Sequence, residues 1–453
     1  MGFGKPKNPN YCCTVTRITS EVKPLEGCDN VMGVNIFGNH VIVGKDTKVG
    51  DIGVYVPVET QLMPNFLYQN SLYRHSERNL DKTKKGYFED TGRVKCMKFR
   101  KHPSMGVFFP LAYFNYCRKD ITLEPGDAFD TLNGEHICQK YHVVRQRHVG
   151  NTQGNNKRKR KPIVSKIIDG QFYFHIDTEQ LGKNIFKIKE QDLLHISYKL
   201  HGTSFVSAKV LCKKPLGFFS RIFKKLGFNI IDSQYDYLYS SRNVLRNHDL
   251  NKQHTSQQPD VYEIAHNKVK DTLVDGMTYY GEIVGFRPSG AYIQKAKGGS
   301  GYDYGCTPGT CNVYIYRITY TNPTGCVFEF SAQQVREWCH KHNLKPVPTL
   351  DYNFGHQLVN HTKNNEEFQS ALLTYLRDMY LERKCHMCKN DVPAEGIVVR
   401  VEKLNLETYK LKSFEFLKLE TEQLDKGIST DEEENEEDQI TGPVEETSIA
   451  KTN

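Results

Sequence analysis

No apolar run in this 453-residue sequence approaches the roughly 18 residues that a membrane-spanning helix requires. The first residues contain no apolar segment of the kind that directs secretion, and Pro6 stands where a myristoylation signal has Ser or Thr. We therefore expect a soluble protein with no membrane span, no membrane partner and no targeting signal at the start of the chain.

Disulfide bonds of the kind that stabilise small secreted proteins are not expected either. The sequence has 13 cysteines, an odd number, and without a secretory signal they are better interpreted as reduced thiols than as disulfides. We expect an intracellular, reducing compartment, either cytoplasm or nucleus.

Charge is unevenly distributed along the chain. The net charge is +8, but residues 421–453 hold eleven acidic residues and two lysines, which leaves +17 on the remainder. A basic body suits a polyanionic partner such as nucleic acid, although basic surfaces also serve solubility alone.

The length argues for two domains with appendages. Short β-prone runs separated by turn residues continue to about Tyr141 and predict a small β-barrel over residues 1–143. Residues 144–166 are polar and basic, and they are expected to be a linker. Its run Lys157–Lys161 fits a solvated linker, a nuclear address or a phosphate-binding strip.

Longer strands and a few helices predict a second domain over residues 167–419. The clearest helix is expected over residues 366–384, where Phe368, Leu372, Leu376 and Met379 recur at helical spacing and should form a buried face. Residues 420–453 are too acidic to bury an apolar face and are expected to be a disordered tail. We expect a monomer.

The segment from Lys213 to Phe228 mixes basic and aromatic residues. Its phenylalanines could stack on bases while its lysines contact phosphates. Alternatively, it is an amphipathic insert whose phenylalanines pack onto the domain.

The most informative segment runs from Ser197 to Ser204. Lys199 ends a β-prone run and is followed by a turn with Gly202, which presents an amine at the end of a strand. Lysine is a usable nucleophile for covalent catalysis where its surroundings favour the uncharged amine. A single lysine before a glycine turn is nevertheless more often structural.

A catalytic role for Lys199 is supported by further segments that follow it in a fixed order. They are Ser240–Asn243 with Arg242, Tyr280–Phe286 with Glu282, Tyr314–Ile318 with Tyr314 and Tyr316, Glu395–Arg400, and Tyr409–Ser413. Residues two apart in a strand share a face, so Lys410 and Lys412 should point the same way while Leu411 faces the core. Two lysine side chains that point the same way need a bound anion if they are buried, because burying unpaired charges is costly. The alternative is that both lie on a solvated face.

Together these segments resemble the covalent nucleotidyltransferase superfamily of ligases and capping enzymes, over roughly residues 192–419. Most members have aspartate two residues after the lysine, whereas this sequence has His201. In this respect it resembles the ATP-dependent RNA ligases of the Deinococcus and Naegleria type. In that type an OB domain precedes the catalytic domain, and Lys48–Pro57 and Gly92–Gly106 look like parts of it. Only about 35 residues follow Lys418, which leaves no room for the carboxy-terminal OB fold of DNA ligases and capping enzymes.

The resemblance implies an α+β fold: an amino-terminal OB-like β-barrel, then a nucleotidyltransferase (adenylation) domain of antiparallel sheets flanked by helices. It implies that Lys199 carries AMP from ATP and that RNA 5′-phosphate and 3′-hydroxyl ends are joined, a nicked duplex being one possible substrate and RNA repair the expected setting. It also implies roles for further residues. Arg242 and Glu282 would contact the ribose, and Tyr316 or, as second choice, Tyr314 would stack on adenine. Glu395 would bind Mg²⁺ or Mn²⁺, and Lys410 and Lys412 would contact the α-phosphate. His201 either orients the nucleotide or a metal-bound water, or is structural.

Two other functions remain open at this point: an mRNA-capping-type guanylyltransferase, and a catalytically inactive nucleic-acid-binding protein. The pairs Cys306 with Cys311 and Cys385 with Cys388 are expected to be free thiols, with a four-thiolate zinc site as the alternative.

Overall fold

The structure, a computed structural model, describes residues 2–143, 166–228, 231–246, 260–360 and 362–428. These residues fold into two compact units. The first contains the described residues of Met1–Val143, Asp177–Leu200 and Val347–Asp425, and the second contains those of Val144–Ile176, His201–Pro346 and Lys426–Asn453. The expected basic linker, apart from Lys166, and the acidic tail beyond residue 428 lie outside the described residues.

The amino-terminal region is built from short strands, as its turn-rich sequence predicts. Its strands are β1 Cys13–Arg17, β2 Lys23–Pro24, β3 Val31–Ile36, β4 Asn39–Gly44, β5 Ile52–Val56, β6 Thr60–Leu62, β7 Met97–Phe99, β8 His102–Ser104, β9 Val107–Pro110, β10 Ala128–Phe129, β11 Thr131–Leu132, β12 Glu135–His136 and β13 Cys138–Lys140. Its helices are α1 Pro64–Gln69 and α2 Asn115–Arg118, with 3₁₀ turns at Pro9–Tyr11, Ser76–Arg78 and Leu111–Phe114.

These strands form small antiparallel sheets, whose buried side chains form more than one hydrophobic cluster. One sheet has the order β10-β1-β5-β9 and another the order β2-β3-β4. Aromatic rings such as Phe66, Phe109 and Phe114 pack at centroid distances of 5.1–5.3 Å in the core. Within residues 93–99 only Met97–Phe99 form a strand, β7, and Arg93 makes an isolated bridge to Gln61.

The remaining described elements have longer strands. The strands are β14 Glu179–Gln180, β15 Leu193–Lys199, β16 Thr203–Lys213, β17 Ser233–Ser240, β18 Met277–Gly285, β19 Cys311–Thr321, β20 Val327–Glu329, β21 Lys345–Pro346, β22 Thr349–Phe354, β23 Gly396–Val401 and β24 Glu407–Lys412. The helices are α3 Leu181–Asn184, α4 Phe218–Lys225, α5 Val261–Val269, α6 Ala332–Lys341, α7 Gly355–Leu358, α8 Asn365–Tyr380 and α9 Phe414–Asp425, with 3₁₀ turns at Ile185–Lys187, Lys270–Thr272 and Lys297–Gly299. No helix among the described residues is both long and apolar enough to cross a bilayer.

Each unit contains one large sheet. In the first unit the order is β14-β24-β23-β15-β22, antiparallel except for the β14–β24 pair. In the second unit the order is β17-β16-β18-β19-β20, with β21 pairing in parallel to β19. The expected antiparallel sheets with flanking helices are therefore confirmed.

Helix α8 confirms most of the predicted buried face and corrects its end. Phe368, Leu372 and Leu376 are fully buried, but Met379 is exposed. The helix ends at Tyr380 rather than near residue 384, because Leu381 is extended and Glu382 has a positive φ of 55°. The Glu382 carboxylate then accepts hydrogen bonds from the backbone N–H groups of Phe414 and Glu415, the first residues of α9.

Helix α9 shows that the boundary expected at residue 420 is six residues too early. The helix continues to Asp425, and Thr421 is buried in it. Thr421 Oγ1 donates a hydrogen bond to Glu59 Oε1 at 2.8 Å, while its carbonyl oxygen accepts one from Arg93 at 3.1 Å. These contacts order the first acidic residues that composition alone assigned to the tail.

Glu59 is a buried carboxyl whose protonation should affect stability. Burial raises its pKa from 4.5 to about 7, although Arg93 and Thr421 oppose the shift. Because the folded state holds this proton more tightly than the unfolded state, the stabilisation is complete below pH 4.5 and is lost as pH rises to about 7.

We expect Glu59→Gln to remove this pH dependence. Relative to the variant, the wild type should lose roughly 3 kcal/mol of unfolding free energy over that interval, because one pKa unit corresponds to about 1.36 kcal/mol. Urea unfolding across the interval measures the difference. Glu77→Gln, at an exposed carboxylate, is the control, and an identical pH profile for Glu59→Gln and wild type would contradict the prediction.

Candidate functional site

Three adjacent strands of the first unit bring Lys199 and Lys412 to one row of the sheet. Lys199 is paired with Gly396, and Gly396 is paired with Lys412. Paired residues in a sheet lie on the same face, and the glycine between the lysines leaves that position without a side chain. A Cβ at Gly396 would lie 2.1 Å from the Leu411 carbonyl oxygen, so the position requires glycine.

Both amines converge on Glu395, the residue just before β23. Lys199 Nζ lies 2.8 Å from Glu395 Oε1, and Lys412 Nζ lies 3.7 Å from the same oxygen. The Glu395 side chain is only 4% exposed and that of Lys199 is 24% exposed. Burying a carboxylate is costly unless cations accompany it, and here two ammonium groups do so.

Ser413 fixes the backbone that carries Glu395. Its backbone N–H donates to the Glu395 carbonyl oxygen at 3.0 Å, and its hydroxyl donates to the Ala394 carbonyl oxygen at 2.7 Å. The residue after the second lysine therefore holds the residue before β23 in place.

Lys412 is also held by Glu420 of α9. Its Nζ lies 2.8 and 2.9 Å from the two Glu420 carboxylate oxygens. Burial alone would lower the pKa of Lys412, but the carboxylates of Glu420 and Glu395 outweigh it and raise this pKa above its ordinary value. Lys412 therefore stays positively charged.

The alternation expected in β24 is present. Leu411 and Tyr409 are buried in the hydrophobic core of the first unit, while Lys410 and Lys412 are half-buried. Lys410, Leu411 and Lys412 all border a cavity of about 70 Å³. Glu59 and Glu420 line the same cavity. In this structure, the anion that Lys412 contacts most closely is Glu420.

Sequence reasoning missed Glu420. It lies eight residues after Lys412, at the position where the acidic tail was expected to begin. The signal that could have revealed it is the spacing of Phe414, Leu417 and Thr421, which marks a helix with one apolar face before the acidic residues dominate.

In the second unit, Glu282 lies in β18 opposite Ser204 on one side and Tyr314 on the other. Its Oε1 accepts a hydrogen bond from the backbone N–H of Gly202 at 3.0 Å. A Cβ at Gly202 would lie 2.2 Å from the Ile283 carbonyl oxygen. The glycine turn after Lys199 is therefore packed closely against the strand that presents Glu282.

Tyr314 and Tyr316 alternate with core residues along β19, so they share a face of the sheet. The ladder places Tyr314 directly opposite Glu282, whereas Tyr316 lies at a register shift. The Tyr316 hydroxyl lies 2.8 Å from His175 Nδ1. Arg242 is half-buried in the turn that follows β17.

His201 is a buried, packed residue of the second unit. Its backbone N–H donates to the Tyr304 hydroxyl at 2.7 Å, and its ring meets the Tyr302 ring edge to face at a centroid distance of 4.9 Å. These contacts fit the structural alternative for this histidine.

The sequence left a zinc site as an alternative to free thiols. Within the described part of the chain, no three His, Cys, Asp or Glu side chains are grouped so that they could hold a metal ion, and the cysteines there form no disulfide. A four-thiolate site is therefore not formed by Cys306, Cys311, Cys385 and Cys388 in this structure.

Family models match both parts of the chain. A model described as RNA ligase matches residues 192–414, and a model described as an OB-fold domain matches residues 12–111. No curated protein shows a significant sequence match to the chain.

Solved structures of Naegleria gruberi RNA ligase share the fold. A mutant with AMP and Mn is 16% identical, with a TM-score of 0.54, and the match covers 89% of this chain and 97% of that one. A mutant with ATP and Mn is 17% identical, with a TM-score of 0.52 and coverage of 90% and 98%. An apo mutant is 17% identical, with a TM-score of 0.53 and coverage of 89% and 97%.

These matches confirm the expected order of domains. The strands β1 to β9 lie within the OB-fold match, and the segments containing Lys199, Glu282, Glu395 and Lys412 lie within the other match. Residues 192–414 of this chain therefore match the RNA ligase family model, and they follow the residues that match the OB-fold model.

Proposed function

We propose that this chain is an ATP-dependent RNA ligase that joins a 5′-phosphate to a 3′-hydroxyl through AMP carried on Lys199. One observation carries the proposal: within the residues that match the RNA ligase model, the Lys199 amine lies 2.8 Å from buried Glu395, whose same oxygen is 3.7 Å from Lys412. A nucleophilic amine, a carboxylate and a second cation are thus grouped where the adjacent strands β15, β23 and β24 lie side by side.

In the first step, the Lys199 nitrogen forms a bond to the α-phosphorus of ATP, and the bond to pyrophosphate breaks. The attacking amine must lose a proton, and Glu395 Oε1 lies within hydrogen-bonding distance to accept it. Lys410 and Lys412 bind the α-phosphate, where they stabilise the negative charge that develops on its oxygens.

Two transfers complete the reaction. An oxygen of the RNA 5′-phosphate displaces Lys199 from phosphorus, which leaves AMP joined to the RNA end through a pyrophosphate linkage. The 3′-hydroxyl then attacks the RNA 5′-phosphate, AMP leaves, and a phosphodiester bond forms. Sealing of such ends suits a role in RNA repair.

Glu395 is the proposed ligand for Mg²⁺ or Mn²⁺. Its carboxylate oxygens are the donors that hard cations prefer, and Mg²⁺ is commonly bound by one or two carboxylates together with water and substrate phosphates. When bound, the metal neutralises charge on the phosphate oxygens. Glu395 itself holds Lys199 in position.

The remaining roles concern the nucleoside. We assign contacts with the ribose to Arg242 and Glu282, and stacking on adenine to Tyr316, with Tyr314 as the alternative. Support comes from β18 and β19, which place Glu282 and both tyrosines on adjacent strands of one sheet. His201 is given an orienting role at most, since its ring is packed against Tyr302.

Incubation with α-labelled ATP should label the wild-type protein covalently, and Lys199→Ala should abolish the label. Lys209→Ala, at a lysine whose side chain is similarly exposed, should retain it. Labelled GTP runs in parallel, and thermal unfolding checks that both variants fold. Label from GTP alone would indicate a capping-type activity. No label from either nucleotide would favour a catalytically inactive nucleic-acid-binding protein.

Glu420→Gln should slow lysine adenylylation by about tenfold or more, because Lys412 loses its charged partner and misplaced groups cost that much or more. Single-turnover labelling at saturating ATP measures the rate. Glu422→Gln, on the same helix, is the matched control. Equal rates for Glu420→Gln and wild type would show that Glu420 does not position Lys412.

Tyr316→Ala should raise the KM for ATP by about tenfold, because stacking of a base on an aromatic ring contributes roughly 1–3 kcal/mol. Tyr316→Phe keeps the ring but loses the hydroxyl near His175, and it should behave like wild type. A larger effect of Tyr314→Ala than of Tyr316→Ala would move the stacking role to Tyr314.

A further inference from the structure

Helix α4 lies in the connection between β16 and β17, and the main antiparallel ladder of that hairpin ends with Lys213 opposite Ser233. The alternative in which its phenylalanines pack onto the domain is wrong for the described residues. No residue of the helix is buried, and Phe218 and Phe219 are 72% and 73% exposed.

The exposed residues of α4 and the next turn are sorted into two faces. At about 100° per residue, the apolar side chains occupy roughly 140° of the helix circumference, and the polar side chains occupy the rest. The apolar face consists of Phe218, Phe219, Ile222, Phe223 and Leu226, and the polar face contains Ser220, Arg221, Lys224 and Lys225.

The surroundings of the helix are basic. Residues 213–232 contain five basic residues, which are Lys213, Lys214 and the three cations of the polar face, and a single acidic residue, Asp232. Lys224 forms an ion pair with Asp232, which leaves an excess of positive charge beside the apolar face. The partner that fits is therefore anionic and offers an apolar region.

We infer that α4 is an interfacial helix that binds the surface of an anionic phospholipid membrane. A short helix with phenylalanine and leucine on one face and lysine and arginine on the other lies in the headgroup region with its apolar face towards the acyl chains. Cations near such a surface are attracted to its negative charge. This inference differs from the sequence-based expectation of no membrane partner. That expectation was based on the lack of a spanning segment, whereas an interfacial helix does not need to span the membrane.

Single-stranded RNA fits the same face less well. Bases stack in parallel on open aromatic rings, but here Phe218 meets Phe219 at 80°, and Phe223 meets Phe228 at 86°, so these rings form edge-to-face pairs. Ile222 and Leu226 add aliphatic surface, which favours acyl chains over bases. Pairing with a second copy would bring two sets of like charges together.

Vesicle binding by the full-length protein tests the inference. We expect it to sediment with vesicles of phosphatidylcholine and phosphatidylserine, and to bind vesicles of phosphatidylcholine alone much less. Phe219→Ser should weaken binding by roughly tenfold or more, because the variant loses the burial of an apolar ring among the acyl chains. Phe186→Ser, at a phenylalanine that is 64% exposed elsewhere in the chain, should have no effect.

A second pair of variants tests the charge. Lys225→Glu should weaken binding to the phosphatidylserine vesicles, whereas Lys341→Glu, at an exposed lysine that ends another helix, should not. All four positions are exposed, so unfolding temperatures should be unchanged.

Three outcomes would overturn the inference. The first is absence of vesicle binding by the wild type, or equal loss in a target variant and its control. The second is loss of single-stranded RNA binding in Phe219→Ser with vesicle binding intact, which would assign the face to RNA. The third is a wild-type dimer that Phe219→Ser converts to a monomer. None of these readouts depends on adenylylation of Lys199.

Discussion

A carboxylate that is almost completely buried is stable only with cations beside it, and the first unit is organised around that requirement at Glu395. Lys199 and Lys412 approach its Oε1 from either side of Gly396, across three paired strands. The register of β15, β23 and β24 therefore determines the electrostatics directly. Slippage of β15 or β24 by a single residue would turn its lysine towards the core.

The same constraint explains why the neighbouring residues have little freedom. Gly396 must be glycine because a Cβ would meet backbone, and Ser413 must bond to two backbone carbonyl groups to hold Glu395. Lys412 then remains charged because Glu420 and Glu395 outweigh the cost of its burial. Packing, register and charge thus support one arrangement, which is consistent with a preorganised phosphate site.

Local patterns were sufficient to predict much of this arrangement. Strand alternation correctly predicted that Leu411 is buried in the core while Lys410 and Lys412 are not, because a period of two is a property of any strand. The buried face of α8 followed from its spacing, but the end of the helix did not. Its termination depends on Glu382, which binds the first turn of a helix some thirty residues later.

Composition failed where tertiary contacts override it. Glu420 and Thr421 lie in an acidic region, yet Lys412 binds Glu420, while Glu59 and Arg93 bind Thr421. No window of local sequence contains both Thr421 and its partners Glu59 and Arg93. The exposed face of α4 was likewise outside the reach of periodicity. Periodicity identifies an apolar face but does not say whether the fold provides anything to cover it.

The bond between Arg93 and Thr421 also has a consequence for biosynthesis. Its partners are 328 residues apart, and ribosomes add about 5–20 residues per second, so Arg93 emerges on the order of tens of seconds before its acceptor is made. During that interval the Arg93 guanidinium lacks the acceptors that Thr421 and Asp425 of α9 supply. The amino-terminal domain therefore reaches its final packing only after translation has passed α9.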